Sequence, residues 1–205
     1  MIEKLGLLII GFLITGVLGG FWGYVLKRRS WAEETKFSLY QARYKEGTSF
    51  LDEISELIGQ RFFLLQRLWW AIEDQDATRI SQCEATYFIA VENWNSCFWK
   101  NRNKIRLLVG EDQANNFLDY SDDYVEDKPK SLHYKFVIAH RKVMTAKNAP
   151  NLFDDARQQI MELNWKCSVF LERLTSTYIE RATTLRLLDI PTGPGAAEQA
   201  VMKKP

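Results

Sequence analysis

Residues 5–26 form 22 consecutive positions without a charged side chain, and this run constrains the chain more than any other feature. At about 1.5 Å of rise per residue, a helix of that length reaches roughly 33 Å, enough to cross a bilayer core of about 30 Å. A cleaved secretory signal places basic residues before a shorter apolar core and a small-x-small site after it. Here the order is inverted, with Glu3 and Lys4 before the run and Lys27, Arg28 and Arg29 directly after it. The expectation is a retained anchor, residues 1–29 including the basic flank. Cationic flanks stay on the cytoplasmic side, so the amino terminus is expected outside and the bulk of the chain inside, at the inner or plasma membrane. Trp22 and Tyr24, with Lys27, Arg28 and Arg29, are the expected anchors at the inner interface.

Six of the eleven glycines lie in this run. At 100° per residue, Gly16, Gly19, Gly20 and Gly23 share one arc of the helix. Gly16-x-x-x-Gly20 and Gly19-x-x-x-Gly23 are overlapping small-x-x-x-small pairs, which let two backbones approach closely in lipid. Self-association through this strip is expected, as a dimer or as a ring around a lumen.

The remainder reads as a different kind of chain. Taking Lys4, Lys27, Arg28, Arg29 and Glu3 out of totals of 27 basic and 26 acidic residues leaves 23 against 25 for residues 30–205. Such a mildly acidic balance does not favour a nucleic-acid binder. No proline precedes Pro129, which points to long helices. Residues 30–46 are expected to continue the membrane helix inward, with Gly47, Thr48 and Ser49 supplying a break and a cap. Leu51, Ile54, Ile58, Leu65, Leu68 and Ile72 then recur at helical spacing to about Glu73.

Asp76 is the expected cap of the next helix, which carries Ile80, Cys83, Tyr87, Ala90, Trp94, Cys97, Ile105 and Leu108 and ends at Gly110. A short helix over 114–120 and an acidic loop over 121–130 follow. Further helices are expected over 132–146, striped by Leu132, Phe136, Ala139 and Val143, and from Asp154 to Arg186, striped by Ala156, Ile160, Leu163, Cys167, Phe170 and Leu174. Residues 190–205, rich in Pro, Gly and Ala, are expected to form a disordered tail. No sustained period-2 alternation predicts a strand. The expected fold is therefore all-α: a single amino-terminal transmembrane helix, a juxtamembrane helix, and an antiparallel, coiled-coil-like bundle over 47–189. Trp69 and Trp70 cannot both point into that bundle, so one is expected to be exposed.

Catalytic sets are not evident. Cys83, Cys97 and Cys167 have no C-x-x-C spacing and lie on apolar stripes, so free thiols are expected. His133 and His140 lack the spacing of a metal pair, and Asp119, Asp122, Asp123, Glu126 and Asp127 lack the pattern of an EF-hand. Neither a metal nor a cofactor is expected. The densest basic cluster, Trp99, Lys100, Arg102, Lys104 and Arg106, suits an anion or RNA contact, or the solvated face of a long helix. Some compact helical domains of the HEPN family cleave RNA with an Arg-x(4–6)-His motif, an arginine and a histidine separated by four to six residues. Residues 126–129 and 133–136 contain no arginine, so a HEPN-like domain here would carry a degenerate motif relying on Arg102 or His140. In layout alone, a glycine-rich span followed by a helical bundle, the chain is similar to membrane accessory proteins of RNA-guided bacterial immunity.

These features lead to the expectation of a non-enzymatic, membrane-anchored helical protein that forms homo-oligomers and offers its cytoplasmic bundle to a protein partner. A pore-forming effector gated by that bundle is the alternative, and HEPN-like RNA processing is a third reading.

Overall fold

A computed structural model describes the backbone of residues 2–118 and 131–188 and the side chains of residues 19–118 and 131–184. The described residues are helical throughout, without a strand: α1 (Ile2–Glu73), α2 (Ala77–Leu108), α3 (Glu111–Phe117), α4 (Leu132–Asn148) and α5 (Phe153–Leu188), with a 3-10 turn at Pro150–Leu152 before α5. The chain divides into two compact units, Met1–Glu46 and Gly47–Pro205.

In the first unit, the described side chains bury little. Phe21, Trp22, Tyr24, Leu26, Trp31 and Phe37 are each more than half exposed. Among the described residues no helix is long and apolar enough to cross a membrane. The side chains of residues 1–18, which make up most of the uncharged run, lie outside the described residues.

The second unit is a helical bundle whose core follows the apolar spacing of its sequence. Phe50, Ile54, Ile58, Leu65, Leu68 and Ile72 of α1 are buried, as are Cys83, Tyr87, Ala90, Trp94 and Ile105 of α2. They meet Leu132, Phe136, Ala139 and Val143 of α4 and Ala156, Ile160, Leu163, Cys167, Phe170 and Leu174 of α5. Alternating steps of three and four keep each stripe facing its neighbours, as in four-helix bundles. Trp69 is 3% exposed against Phe153, while Trp70 beside it is 40% exposed. Ion pairs between helices lie outside this core: Lys147–Glu84 at 2.9 Å, Lys142–Asp155 at 2.8 Å, and Arg157–Glu73.

The expected break at Gly47 to Ser49 does not form, since α1 continues through all three residues. A β-carbon at Gly47 would overlap the Tyr178 phenol. Gly47 is thus a notch that admits a phenol from α5. That close approach accounts for a residue costing about 1 kcal/mol in a helix interior.

The end of α1, at Glu73, is closed by a motif without glycine. Gln75 takes φ +56°, its N–H donates to Ile72 O at 3.1 Å, and the Asp76 N–H donates to Ala71 O at 3.3 Å. Those two bonds are the Schellman pattern. Asp76 then caps α2, its carboxylate accepting from the N–H groups of Thr78 and Arg79 at 3.1 and 3.0 Å. At the other end of α2, Gly110 at φ +128° turns the chain into α3, which spans Glu111–Phe117 rather than 114–120. Residues 119–130, with the expected acidic loop, and the tail from 189 onward lie outside the described residues.

Candidate functional site

The basic cluster anticipated on α2 is dispersed. Lys100 pairs with Glu53 of α1 at 3.2 Å, and the Lys104 ammonium lies 5.1 Å from the ring centre of Phe50. Arg106 is exposed, and Trp99 is exposed with its ring edge-on to Phe98. Arg102 turns inward. Only 9% exposed, it donates to Glu111 at 2.9 Å, to Asn115 at 2.8 Å and to the Leu118 carbonyl at 3.5 Å. The expectation of a shared anion or RNA surface is corrected at this residue, because its guanidinium fastens α3 to α2. Two lysines reach toward α1 while the arginine reaches toward α3, so the cations do not converge.

In the glycine strip, a β-carbon at Gly19, Gly20 or Gly23 would meet nothing within 4 Å. The side of the helix they occupy is smooth and open. Gly16 lies outside the described side chains. Trp22, Tyr24, Lys27, Arg28 and Arg29 are all exposed.

A second polar constellation sits at the bundle centre. Arg61 lies in the α1 stripe between Ile58 and Leu65 and is 3% exposed. Its guanidinium carbon is 4.7 Å from the Trp94 ring centre and 4.5 Å from that of Phe136, and those rings are 5.3 Å apart. Three such similar distances place the guanidinium in the notch between the rings rather than sandwiched by them. Nε and Nη1 have no hydrogen-bond acceptor. Burial lowers the guanidinium pKa, partly offset among the described residues by the Tyr87 hydroxyl, through charge and hydrogen bonding, and by Cys167. An arginine nevertheless remains protonated in proteins.

The groups around it cannot neutralise that charge. Burial pushes the Cys167 thiol up to about 12 and raises the Tyr87 phenol, although Arg61 pulls both the other way. Both therefore stay protonated at neutral pH. Burial, with the charge of Arg61 second, lowers His133 to about 4 and shifts His140 in the same direction. His133 Nδ1 accepts from Trp94 Nε1 at 3.1 Å, which fixes the neutral tautomer with its proton on Nε2. His140 packs against Tyr87 with ring centres 5.0 Å apart, and neither its Nε2 nor the Tyr87 hydroxyl makes a well-formed hydrogen bond. This centre draws polar groups from four helices: Arg61 of α1, Tyr87 of α2, His133 and His140 of α4, and Cys167 of α5.

The signal for Arg61 was present in the sequence as a gap. The stripe of α1 steps from Ile58 to Leu65, a full heptad, and position 61 fills the missing place. Among the described residues, no group of three or more His, Cys, Asp or Glu side chains is arranged to hold a metal, and all three cysteines are free. No family model, no curated protein and no solved structure matches this chain.

Proposed function

We propose that this protein is a single-pass membrane protein that self-associates through its glycine strip and presents its helical bundle to a cytoplasmic protein partner. The observation that carries this reading is the uncharged run of residues 5–26, ended by Lys27, Arg28 and Arg29. Its length suits a bilayer core, and its flank orients the bundle inward. The open faces of Gly19, Gly20 and Gly23 suit a second helix packed against them. Exposed Phe21, Trp22, Tyr24 and Leu26 suit contact with lipid or with other copies.

Alkaline carbonate extraction of membranes carrying the full chain, followed by cross-linking, tests both parts. The expected result is a carbonate-resistant pellet containing dimers or higher forms, with oligomers lost in Gly20→Leu while the membrane association persists. Release into the carbonate supernatant would overturn the anchor, and unchanged cross-linking in Gly16→Leu/Gly20→Leu would overturn the interface.

A further inference from the structure

We propose that the bundle centre is a binding site for a small monovalent anion, held by the Arg61 guanidinium with the Tyr87 hydroxyl and His140 Nε2 as flanking donors. The argument begins with charge. An uncompensated charge inside a protein is strongly unfavourable, and buried cations are found paired or hydrogen-bonded. Arg61 is fully enclosed, and the charged or polar groups that act on it include no carboxylate. The faces of Trp94 and Phe136 supply cation–π attraction, which favours the flat side of the guanidinium. They leave its edge unanswered, where Nε and Nη1 point with no acceptor.

The same site presents surplus donors. Arg61 Nε and Nη1, Tyr87 Oη and His140 Nε2 are all buried without a well-formed hydrogen bond, and the Tyr87 hydroxyl lies close enough to the guanidinium to act on it. The guanidinium edge and the phenol are donors, and a neutral imidazole protonated at Nε2 is a third. Such a set selects an acceptor. With Cys167, Tyr87 and both histidines uncharged, the centre carries a single positive charge, so a monoanion neutralises it and a dianion overshoots. The ring faces on one side restrict the ligand to a compact species such as chloride, nitrate or bicarbonate, bound at the guanidinium edge. By contrast, Arg102 on α2 has its carboxylate in Glu111 and needs no ligand.

Chloride is the direct probe. The full chain in detergent micelles is melted in sodium chloride and in sodium gluconate at equal ionic strength and neutral pH, and its chloride NMR line width is followed as nitrate or bicarbonate is added. The expected result is a saturable rise in Tm of about 2–4 °C when chloride reaches about five times its Kd. Line broadening that the competing anions reverse is expected alongside it. Arg61→Met, which keeps the volume and removes the charge, is expected to show neither effect. Equal Tm in the two salts together with unbroadened chloride resonance in the parent would overturn the proposal, as would full broadening retained in Arg61→Met. The line width is read on the parent protein, so the proposal stays testable even where a variant fails to fold. Loss of membrane association or of cross-linking leaves this readout unchanged, because it concerns the bundle alone.

Discussion

The α2–α3 corner and the bundle centre each bury an arginine, and they treat its charge in opposite ways. At the corner, Arg102 reaches a carboxylate, an amide and a main-chain carbonyl, and its partner Glu111 is itself half exposed. The charge is matched at the edge of the solvent. At the centre, Arg61 has two aromatic faces and no acceptor for Nε or Nη1. A matched arginine at a corner fastens two elements together. An unmatched one at the centre holds donors ready for something that arrives from outside. Both arginines are withdrawn from solvent, at 9% and 3% exposure, and what separates them most is their neighbours.

Acid should separate the two regions most strongly. His133 is held neutral, with its pKa lowered from 6.5 to about 4. Between those values the unfolded chain takes up a proton that the folded chain refuses, so stability is complete above about pH 6.5 and falls as the pH drops toward 4. The expected loss is about 3 kcal/mol from this residue, at about 1.4 kcal/mol per unit, and His140 adds to it in the same direction. Urea unfolding across this pH window checks the loss, and His133→Gln, which keeps an acceptor for the Trp94 N–H, should flatten the curve. An unchanged slope in that variant would detach the acid response from the bundle centre.

The two arginines should answer to methionine differently. Arg102→Met removes the donor from Asn115 and from the Leu118 carbonyl and should lower the unfolding free energy by about 2 kcal/mol. Arg61→Met removes a charge with no countercharge, and in sodium gluconate its stability should equal or exceed that of the parent. Equal losses in both variants would erase the distinction between corner and centre.

The smallest effects calibrate the others because they sit in the α1–α2 turn, away from both arginines. Gln75→Gly relieves a left-handed backbone and should raise stability by about 1 kcal/mol. Asp76→Ala removes the cap of α2 and should lower it by about 1 kcal/mol. Both are read by urea unfolding, and neither should alter the response to chloride.

What was legible in the sequence follows from what periodicity and capping can express. The stripes of α4 and α5, the start of α2 at Asp76 and the opposed environments of Trp69 and Trp70 depend on local spacing, and each is found as expected. Three features depend on contacts between residues far apart in the chain. Gly47 reads as a helix break because its conformational freedom is local, whereas the Tyr178 phenol that requires its bare backbone comes from α5. Arg102 reads as part of an exposed basic run because its acceptors lie on α3. Arg61 does not stand out in the sequence, because a hydrophobic stripe is scored by its apolar members and the heptad gap between Ile58 and Leu65 passes unnoticed. Gln75 carries no sequence mark of a left-handed residue, since glycine or asparagine is the usual one.

The contrast between the two buried arginines is tested most directly by the chloride dependence of unfolding in three full-length proteins: the parent, Arg61→Met and Arg102→Met. The stability of the parent and of Arg102→Met should rise with chloride by the same saturable amount, from a lower baseline in Arg102→Met, while that of Arg61→Met should not change. Chloride dependence retained in Arg61→Met, or lost in Arg102→Met, would contradict the account.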